Sequence, residues 1–266
     1  MSRSAVVAIA KNEDEYLKEW VDWNLIVGFD EVFVFQNNWR YTGEPISDPR
    51  VHLLAGDGKR MQVPCYNMFM DMMREKFDYA AFFDIDEFMW VKDGSKVDKF
   101  FDQYLSDIPS LFLNWRIFGD NGFSGKPCVT KSVLERFTAC GKNLDPLGKH
   151  IVNLKLCHSN VKFANPHILV DYSKNAEFFA VDPLRKHVVR TGTIRNNLDD
   201  EPAELCHFRN KTWEEALQRR FGTDDAFWNA DTCPGRRDME AVKKDFANYN
   251  QNDVSNTVLR DLARGA

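Results

Sequence analysis

Residues 5–38 read AVVAIAKNEDEYLKEWVDWNLIVGFDEVFVFQNN, and the changes of hydrophobic period inside this stretch decide the fold. Residues 5–10 (AVVAIA) are a short apolar run with two valines and an isoleucine, which at that length reads as a buried strand. Lys11 and Asn12 end it. Asn12 and Glu15 have the spacing of a capping box, and Tyr16, Trp20, Trp23 and Val27 then recur at helical spacing up to Gly28, a residue suited to the left-handed position past a helix end. Residues 31–36 (EVFVFQ) are strand-like again and stop at Asn37 and Asn38. The chain therefore opens with a βαβ unit, for which a right-handed crossover is expected.

Working outward, the pattern repeats. Residues 51–54 form a third short strand, GDGKR a loop, and Pro64 suits the first position of a helix carrying Tyr66, Phe69, Met70, Met73 and Phe77 on one side. Methionines at that spacing are read as core filling. Residues 79–83 (YAAFF) are a fourth strand, residues 110–118 another, and helices are expected over 213–221 and 239–249. The expected fold class is α/β: a Rossmann-like mixed sheet flanked by helices over residues 1–222, followed by a helical extension, residues 223–266, packed on or near the same domain. In an open α/β sheet, ligands bind beyond the carboxyl ends of the strands. Those ends here carry Lys11 and Asn12, then Asn37 and Asn38, then Asp84 to Asp86.

Composition limits the function. With 44% hydrophobic residues in 266 and no Pro, Gly or Ser run long enough for a linker, the chain reads as one folded unit. A net charge of -5 argues against nucleic acid as a partner. The apolar run near the N-terminus is too short for a signal peptide core or a membrane span, so the expected location is cytoplasmic. Six scattered cysteines (Cys65, Cys128, Cys140, Cys157, Cys206, Cys233) without a CxxC pair are expected to be buried reduced thiols. Arg236, Arg237, Lys243 and Lys244, near Phe227 and Trp228, read as a solvated face; the alternative is peripheral contact with the inner face of an anionic membrane or with a lipid-linked acceptor.

The most informative stretch chemically is FFDIDEF, residues 82–88. Carboxylates crowded behind a buried strand are costly unless a cation neutralises them. In extended backbone Asp84 and Asp86 project to one side, toward one divalent ion or an ion and a ribose hydroxyl, while Ile85 turns inward and Glu87 points away. The bland alternative is a solvated acidic turn, because D-x-D is frequent by chance.

Taken in order, AIAKNEDEYLKEWVDWNLIVGFDEVFVFQNN, FFDIDEF, WRIFGDNGF, SVLERF and CHFRNKTWEEA resemble the family 92 and related family 2-like (DUF23-like) glycosyltransferases, over roughly residues 5–220. The resemblance implies a GT-A fold, an inverting reaction and a D-x-D motif that carries metal and nucleotide sugar. By the same resemblance, Lys11, Asn12 and Asn38 line the pocket for base and ribose, and Gln62, in the loop before the second helix, lies near the donor. Asp84, with Ile85 beside it, meets the ribose or a metal-bound water; Asp86 binds the metal directly. His207 is a further metal ligand, Lys211 sits beside the diphosphate, and His167 also matches a family position. His207 precedes Thr212 and Glu215, a second capping box, which places it in a loop leading into a helix. Two carboxylates, an imidazole and phosphate oxygens suit Mn²⁺ or Mg²⁺.

Inverting transfer needs one general base for the acceptor hydroxyl. Asp120, flanked by Gly119 and Gly122 after a strand, is the first candidate, though an Asp in such a turn is often turn chemistry alone. Glu135 is the second, with Asp145 and Glu177 behind it. Trp115 offers a sugar-stacking face for the acceptor, or else fills core. The expected function is metal-dependent transfer of a hexose from a nucleotide sugar, a UDP-sugar, to a glycan or lipid-linked glycan. The alternatives are a nucleotidyltransferase or metal-dependent phosphohydrolase, disfavoured by the lack of a phosphate loop or a second acidic cluster, and an inactive sugar-binding scaffold.

Overall fold

The computed structural model describes residues 2–123, 125, 132–186, 188, 201–221 and 238–265; Cys128, His187, Gly222, Phe227, Trp228, Cys233, Arg236 and Arg237 lie outside the described residues. In chain order the elements are β1 (Ser4–Ala10), α1 (Leu17–Val27), β2 (Glu31–Gln36), β3 (Val51–Ala55), α2 (Gln62–Met73), β4 (Tyr79–Phe82), β5 (Glu87–Val91), α3 (Val97–Tyr104), β6 (Ser110–Ile117), α4 (Val133–Arg136), β7 (Ala139–Cys140), β8 (Gly148–Asn153), β9 (Val161–Asn165), β10 (Ile168–Asp171), β11 (Ala176–Glu177), β12 (Ala203–His207), α5 (Trp213–Phe221), α6 (Met239–Tyr249), β13 (Val254–Ser255) and α7 (Val258–Arg264).

Eight strands form one mixed sheet in the order β3-β2-β1-β4-β8-β6-β12-β5. The first four are parallel, so their carboxyl ends share an edge. β8 enters antiparallel between β4 and β6, β12 runs parallel to β6, and β5 closes the sheet antiparallel to β12. The same edge therefore collects the carboxyl ends of β4, β6 and β12 and the amino ends of β5 and β8. This mixed, helix-flanked α/β architecture is consistent with a Rossmann-like GT-A fold.

Side-chain parity explains the layers. Val6, Ala8 and Ala10 of β1 join one core with Trp20 and Trp23 of α1 and Phe100 of α3, while Ala5, Val7 and Ile9 join the other with Tyr66, Phe69 and Met70 of α2. β4 and the residue after it divide the same way, Ala81 and Phe83 to the first core and Ala80 and Phe82 to the second. The tryptophans of α1 do a second job. Their indole N–H groups donate to Glu87 O and Met89 O at 2.9 and 2.7 Å, satisfying carbonyls of the edge strand β5.

Local expectations fared unevenly. Gly28 has φ 106° and ends α1 as read. α1 begins later than the Asn12 and Glu15 spacing implied: its N-cap is Tyr16, without a side-chain cap, and Glu13 O accepts from the Tyr16 and Leu17 amides at 3.1 and 2.9 Å. α2 begins at Gln62, ahead of Pro64, which still lies in the first turn where no amide donor is needed. Met70 is core and Met73 packs against it, as read, while Met68 and Met72, off that face, are exposed. The box at Thr212 and Glu215 does form, with reciprocal bonds of 3.0 and 3.2 Å. Cys65, Cys140, Cys157 and Cys206 are buried free thiols. The described C-terminal segment packs on the sheet unit: β13 pairs with β7, Asn210 donates to Phe246 O of α6 at 3.0 Å, and Arg264 of α7 binds Glu135. No helix among the described residues is long and apolar enough to cross a membrane.

Candidate functional site

The acidic motif is not extended. Glu87 N donates to Asp84 O at 3.0 Å, closing a tight turn between β4 and β5, and Asp84 N donates to Glu87 Oε2 at 2.9 Å. The turn breaks the strict alternation expected of a strand. Asp84 keeps the parity of Phe82 and meets α2: its Oδ1 accepts from Gln62 Nε2 at 2.6 Å and from Tyr66 Oη at 3.3 Å, and its Oδ2 from Lys149 Nζ at 2.8 Å. Asp86 lies 3.4 Å from His207 Nε2 and 3.3 Å from Arg219 Nη1. Glu87 does not point away from this centre, because it returns with the chain at the start of β5. Its register partner across the sheet is His207, and Phe208 N donates to Asp86 O at 2.9 Å, so backbone pairing places the imidazole beside the motif.

β8 supplies the cation beneath. A Cβ on Gly148 would fall 1.9 Å from Leu113 O, so only glycine lets β8 approach β6 this closely. The next residue, Lys149, is fully buried, with Nζ also 3.8 Å from Glu87 Oε1. Burial alone would strip its proton, but Asp84 and Glu87 reverse this and hold its pKa above the ordinary lysine value. Burial pushes Glu87 well above the usual carboxylate range, and Lys149 offsets only part of that. Burial opposes ionisation of Asp86 too; there His207, Lys211 and Arg219 prevail and hold it well below the usual range. His207 itself is lowered by burial in spite of Asp86.

Two donor atoms suited to a divalent cation lack a hydrogen bond, one of them 3.8 Å from Lys149 Nζ. Glu87 Oε1 and His207 Nδ1 are buried without a hydrogen bond. One side-chain donor atom from each of Asp86, Glu87 and His207 lies within 4.8 Å of the others. Oxygen and imidazole donors suit Mn²⁺ or Mg²⁺.

Lys211, expected from the sequence, and two arginines and one acid that were not, surround this centre. Arg219 projects from α5. Lys211, at φ 56°, places Nζ over the Tyr16 ring at 4.3 Å. Glu13, from the loop after β1, is pushed up to about 7 by burial, with Lys211 pulling it down and Asp86 adding to the rise. Arg209 pairs with Asp245 at 3.0 Å and stacks on Tyr249. Capping periodicity places α5, but only the fold shows that Arg219 faces Asp86 while Arg220 pairs with Asp245.

The other expected residues separate. Gln62 is buried against Asp84. Ile85 is 4% exposed and belongs to the core, so it offers a donor little more than backbone. Lys11 and Asn12 stand at the end of β1, Asn12 with φ 58°. Asn38 exchanges hydrogen bonds with Gly58, Nδ2 to O at 3.0 Å and N to Oδ1 at 3.1 Å, and so braces the loop after β3. Trp115 is 2% exposed; it packs on His207 at 4.3 Å between ring centroids and on His167 at 5.2 Å, supporting the imidazole from below instead of presenting a stacking face. Asp120 Oδ1 accepts from Gly122 N and Asn252 Nδ2 at 2.9 and 3.1 Å in a turn with Asn121 at φ 54°, as turn chemistry predicts. Glu135 is held by Arg264 at 2.7 and 2.5 Å, which keeps it below the usual carboxylate range. Asp145 differs from both. Burial raises it, against the pull of the Leu147 amide, which donates to its Oδ1 at 2.8 Å, and of His207 and Arg209.

Fold and centre together define a Rossmann-like α/β protein with an acidic, histidine-bearing site at the carboxyl edge of its sheet. No family model matches the chain, and no curated relative matches it, so the likeness to family 92 rests on the motifs alone. Among solved structures the chain is similar to S. aureus TarS, at 13% identity and a TM-score of 0.36, over 93% of this chain and 43% of that one. The chain thus spans less than half the length of that structure.

Proposed function

We propose that the chain is an inverting glycosyltransferase of the GT-A kind, transferring a hexose from a nucleotide sugar, a UDP-sugar, to a glycan or lipid-linked glycan. One observation carries this reading: the Asp84–Asp86 turn at the end of β4 converges with His207 at the end of β12, on the edge where an open α/β sheet binds ligands. Asp86 and His207 would hold Mn²⁺ or Mg²⁺, which when bound neutralises the diphosphate as it leaves. Lys211 and Arg219 add charge for the phosphate oxygens. Lys11, Asn12 and Asn38, at the ends of β1 and β2, stand where base and ribose would lie, and Asn38 contributes by bracing the neighbouring loop. Asp84, oriented by Gln62 and Lys149, accepts a hydrogen bond from the donor.

The base is assigned to Asp145. Glu135 is neutralised by Arg264, and although Asp120 and Asp145 each close a turn with one oxygen, only Asp145 stands beside His207. Asp145 is partly buried beside His207, and burial raises its affinity for a proton. In the step, the Asp145 carboxylate takes the acceptor hydroxyl proton as the new glycosidic bond forms and the bond between the sugar and the diphosphate breaks.

The test is a panel of nucleotide sugars incubated with the protein and Mn²⁺. Slow release of UDP supports transfer, release of phosphate supports a phosphohydrolase, and silence with every donor supports a scaffold. A thermal-shift screen locates the donor first, because a ligand at 100 times its Kd stabilises by about 2.7 kcal/mol. UDP affinity unchanged in excess EDTA would remove the cation from the reading.

A further inference from the structure

The two aspartates of the turn sit in different electrostatic environments. Asp84 has a donor on each oxygen: Gln62 Nε2 and Tyr66 Oη on Oδ1, Lys149 Nζ on Oδ2. Lys149 is enclosed by the sheet and cannot swing away, so a divalent ion bound by Asp84 would face a fixed positive charge across one carboxylate. Glu87 shares the same lysine, 3.8 Å from its Oε1, but takes no hydrogen bond from it. Its Oε2 is used by Asp84 N, while its Oε1 is buried without a hydrogen bond, and across the β5–β12 register His207 keeps Nδ1 unpaired as well. The donor atoms of Asp86, Glu87 and His207 lie within 4.8 Å of one another. An octahedral ion at about 2.1 Å from opposite ligands spans about 4.2 Å, so small side-chain moves close this set on one ion.

We propose that Lys149 partitions the acidic motif, withholding Asp84 from the cation so that Asp86, Glu87 and His207 are its protein ligands. Lys149 is then a positioning residue. It fixes Asp84 as a hydrogen-bond acceptor for the donor and keeps cation affinity lower than a site with all three carboxylates would have. This ligand set deepens the glycosyltransferase reading but does not need transfer to be tested.

The experiment is calorimetric titration of Mn²⁺ alone into the full chain and its variants, with thermal melts confirming that each is folded. The parent binds one Mn²⁺. Asp86→Asn and Glu87→Gln weaken it by about tenfold or more, whereas Asp84→Asn changes it less than about threefold. Lys149→Met binds Mn²⁺ more tightly than the parent, by about threefold or more, because a neighbouring cation is gone and Asp84 is released. Lys149→Arg, which keeps the charge, restores parental affinity. A lysine serving only to support the fold would weaken binding when replaced by Met. If Glu87→Gln does not fold, the Asp84→Asn and Lys149→Met pair decides the question. The proposal is overturned if Asp84→Asn loses as much as Asp86→Asn, if Lys149→Met weakens binding, or if the parent binds no Mn²⁺. Tight Mn²⁺ binding by the predicted ligands with no turnover of any nucleotide sugar would instead sink the glycosyltransferase reading and leave the ligand set standing.

Discussion

Two Arg–Glu pairs of almost the same geometry sit at opposite extremes of burial, and they let the anchoring of the site be measured. Arg136 grips Glu215 through two bonds of 3.0 Å, with side chains 7% and 7% exposed. The same carboxylate accepts from Tyr16 Oη at 2.6 Å and caps Thr212 N at 3.0 Å. Glu215→Ala therefore leaves a buried guanidinium, a hydroxyl and a helix-terminal amide without their acceptor. Stranding one member of a buried pair costs about 3–5 kcal/mol, a large share of an ordinary domain's 5–15 kcal/mol. With a urea m-value on the order of 3 kcal/mol/M, the unfolding midpoint should fall by about 1–1.7 M. Glu135→Ala is the control: its partner Arg264 is 59% exposed, and the midpoint should move no more than for an ordinary surface substitution. Replacing both buried partners, Glu215→Leu with Arg136→Met, should recover most of the loss. Hydrogen bonds and charge hold Glu215 below its ordinary 4.5 against the effect of burial, so this contribution is present above about pH 4.5 and fades as pH falls through the folded-state value. Because α5 carries Arg219 to Asp86, the variant should also weaken UDP binding. If Glu215→Ala and Glu135→Ala shift the midpoint equally, burial is not what gives the first pair its strength, and the anchoring argument fails.

Asp145→Asn should retain Mn²⁺ and UDP affinity while turnover drops by about 10²- to 10⁴-fold, with Asp120→Asn and Glu135→Gln near parental; loss confined to either of those two would move the base to its loop. Asp86→Asn should mimic chelation in a UDP-binding titration, and parental UDP affinity in that variant would count against a cation bridge. Glu13, raised from 4.5 to about 7 by burial, binds its proton more tightly in the folded chain, so its contribution to stability is full below pH 4.5 and is lost as pH rises toward 7. Glu13→Gln should flatten the stability profile across that window; an unchanged slope between pH 5 and 7 would show that Glu13 titrates normally.

The sequence by itself determined the alternating elements of the first ninety residues, β6, α5 and α6, and the sheet edge to which Asp84 to Asp86 belong. Hydrophobic period settled β1, α1, β2 and β6, Gly28 and the Thr212–Glu215 box settled helix ends, and the polar residues after each apolar run marked the carboxyl edge, because these signals depend only on neighbours along the chain. What only the tertiary structure decided is who faces whom. The turn at Asp84–Glu87 divides the two aspartates between Lys149 and His207, the β12–β5 register brings Glu87 opposite His207, and α5 turns Arg219 toward Asp86. Asn250 and Asn252 reach back from beyond α6 to hold the Asp120 turn, across a separation of more than a hundred residues. Lys149 illustrates the limit most directly. In sequence it is one lysine in GKHIVN, unremarked by any motif; in the sheet it is buried between two carboxylates, because the strand order, which no local pattern encodes, inserts β8 beside β4. Charge and burial at a site come from contacts between distant segments, so the chain's order can name the acids, but only its packing determines the partners each of them has.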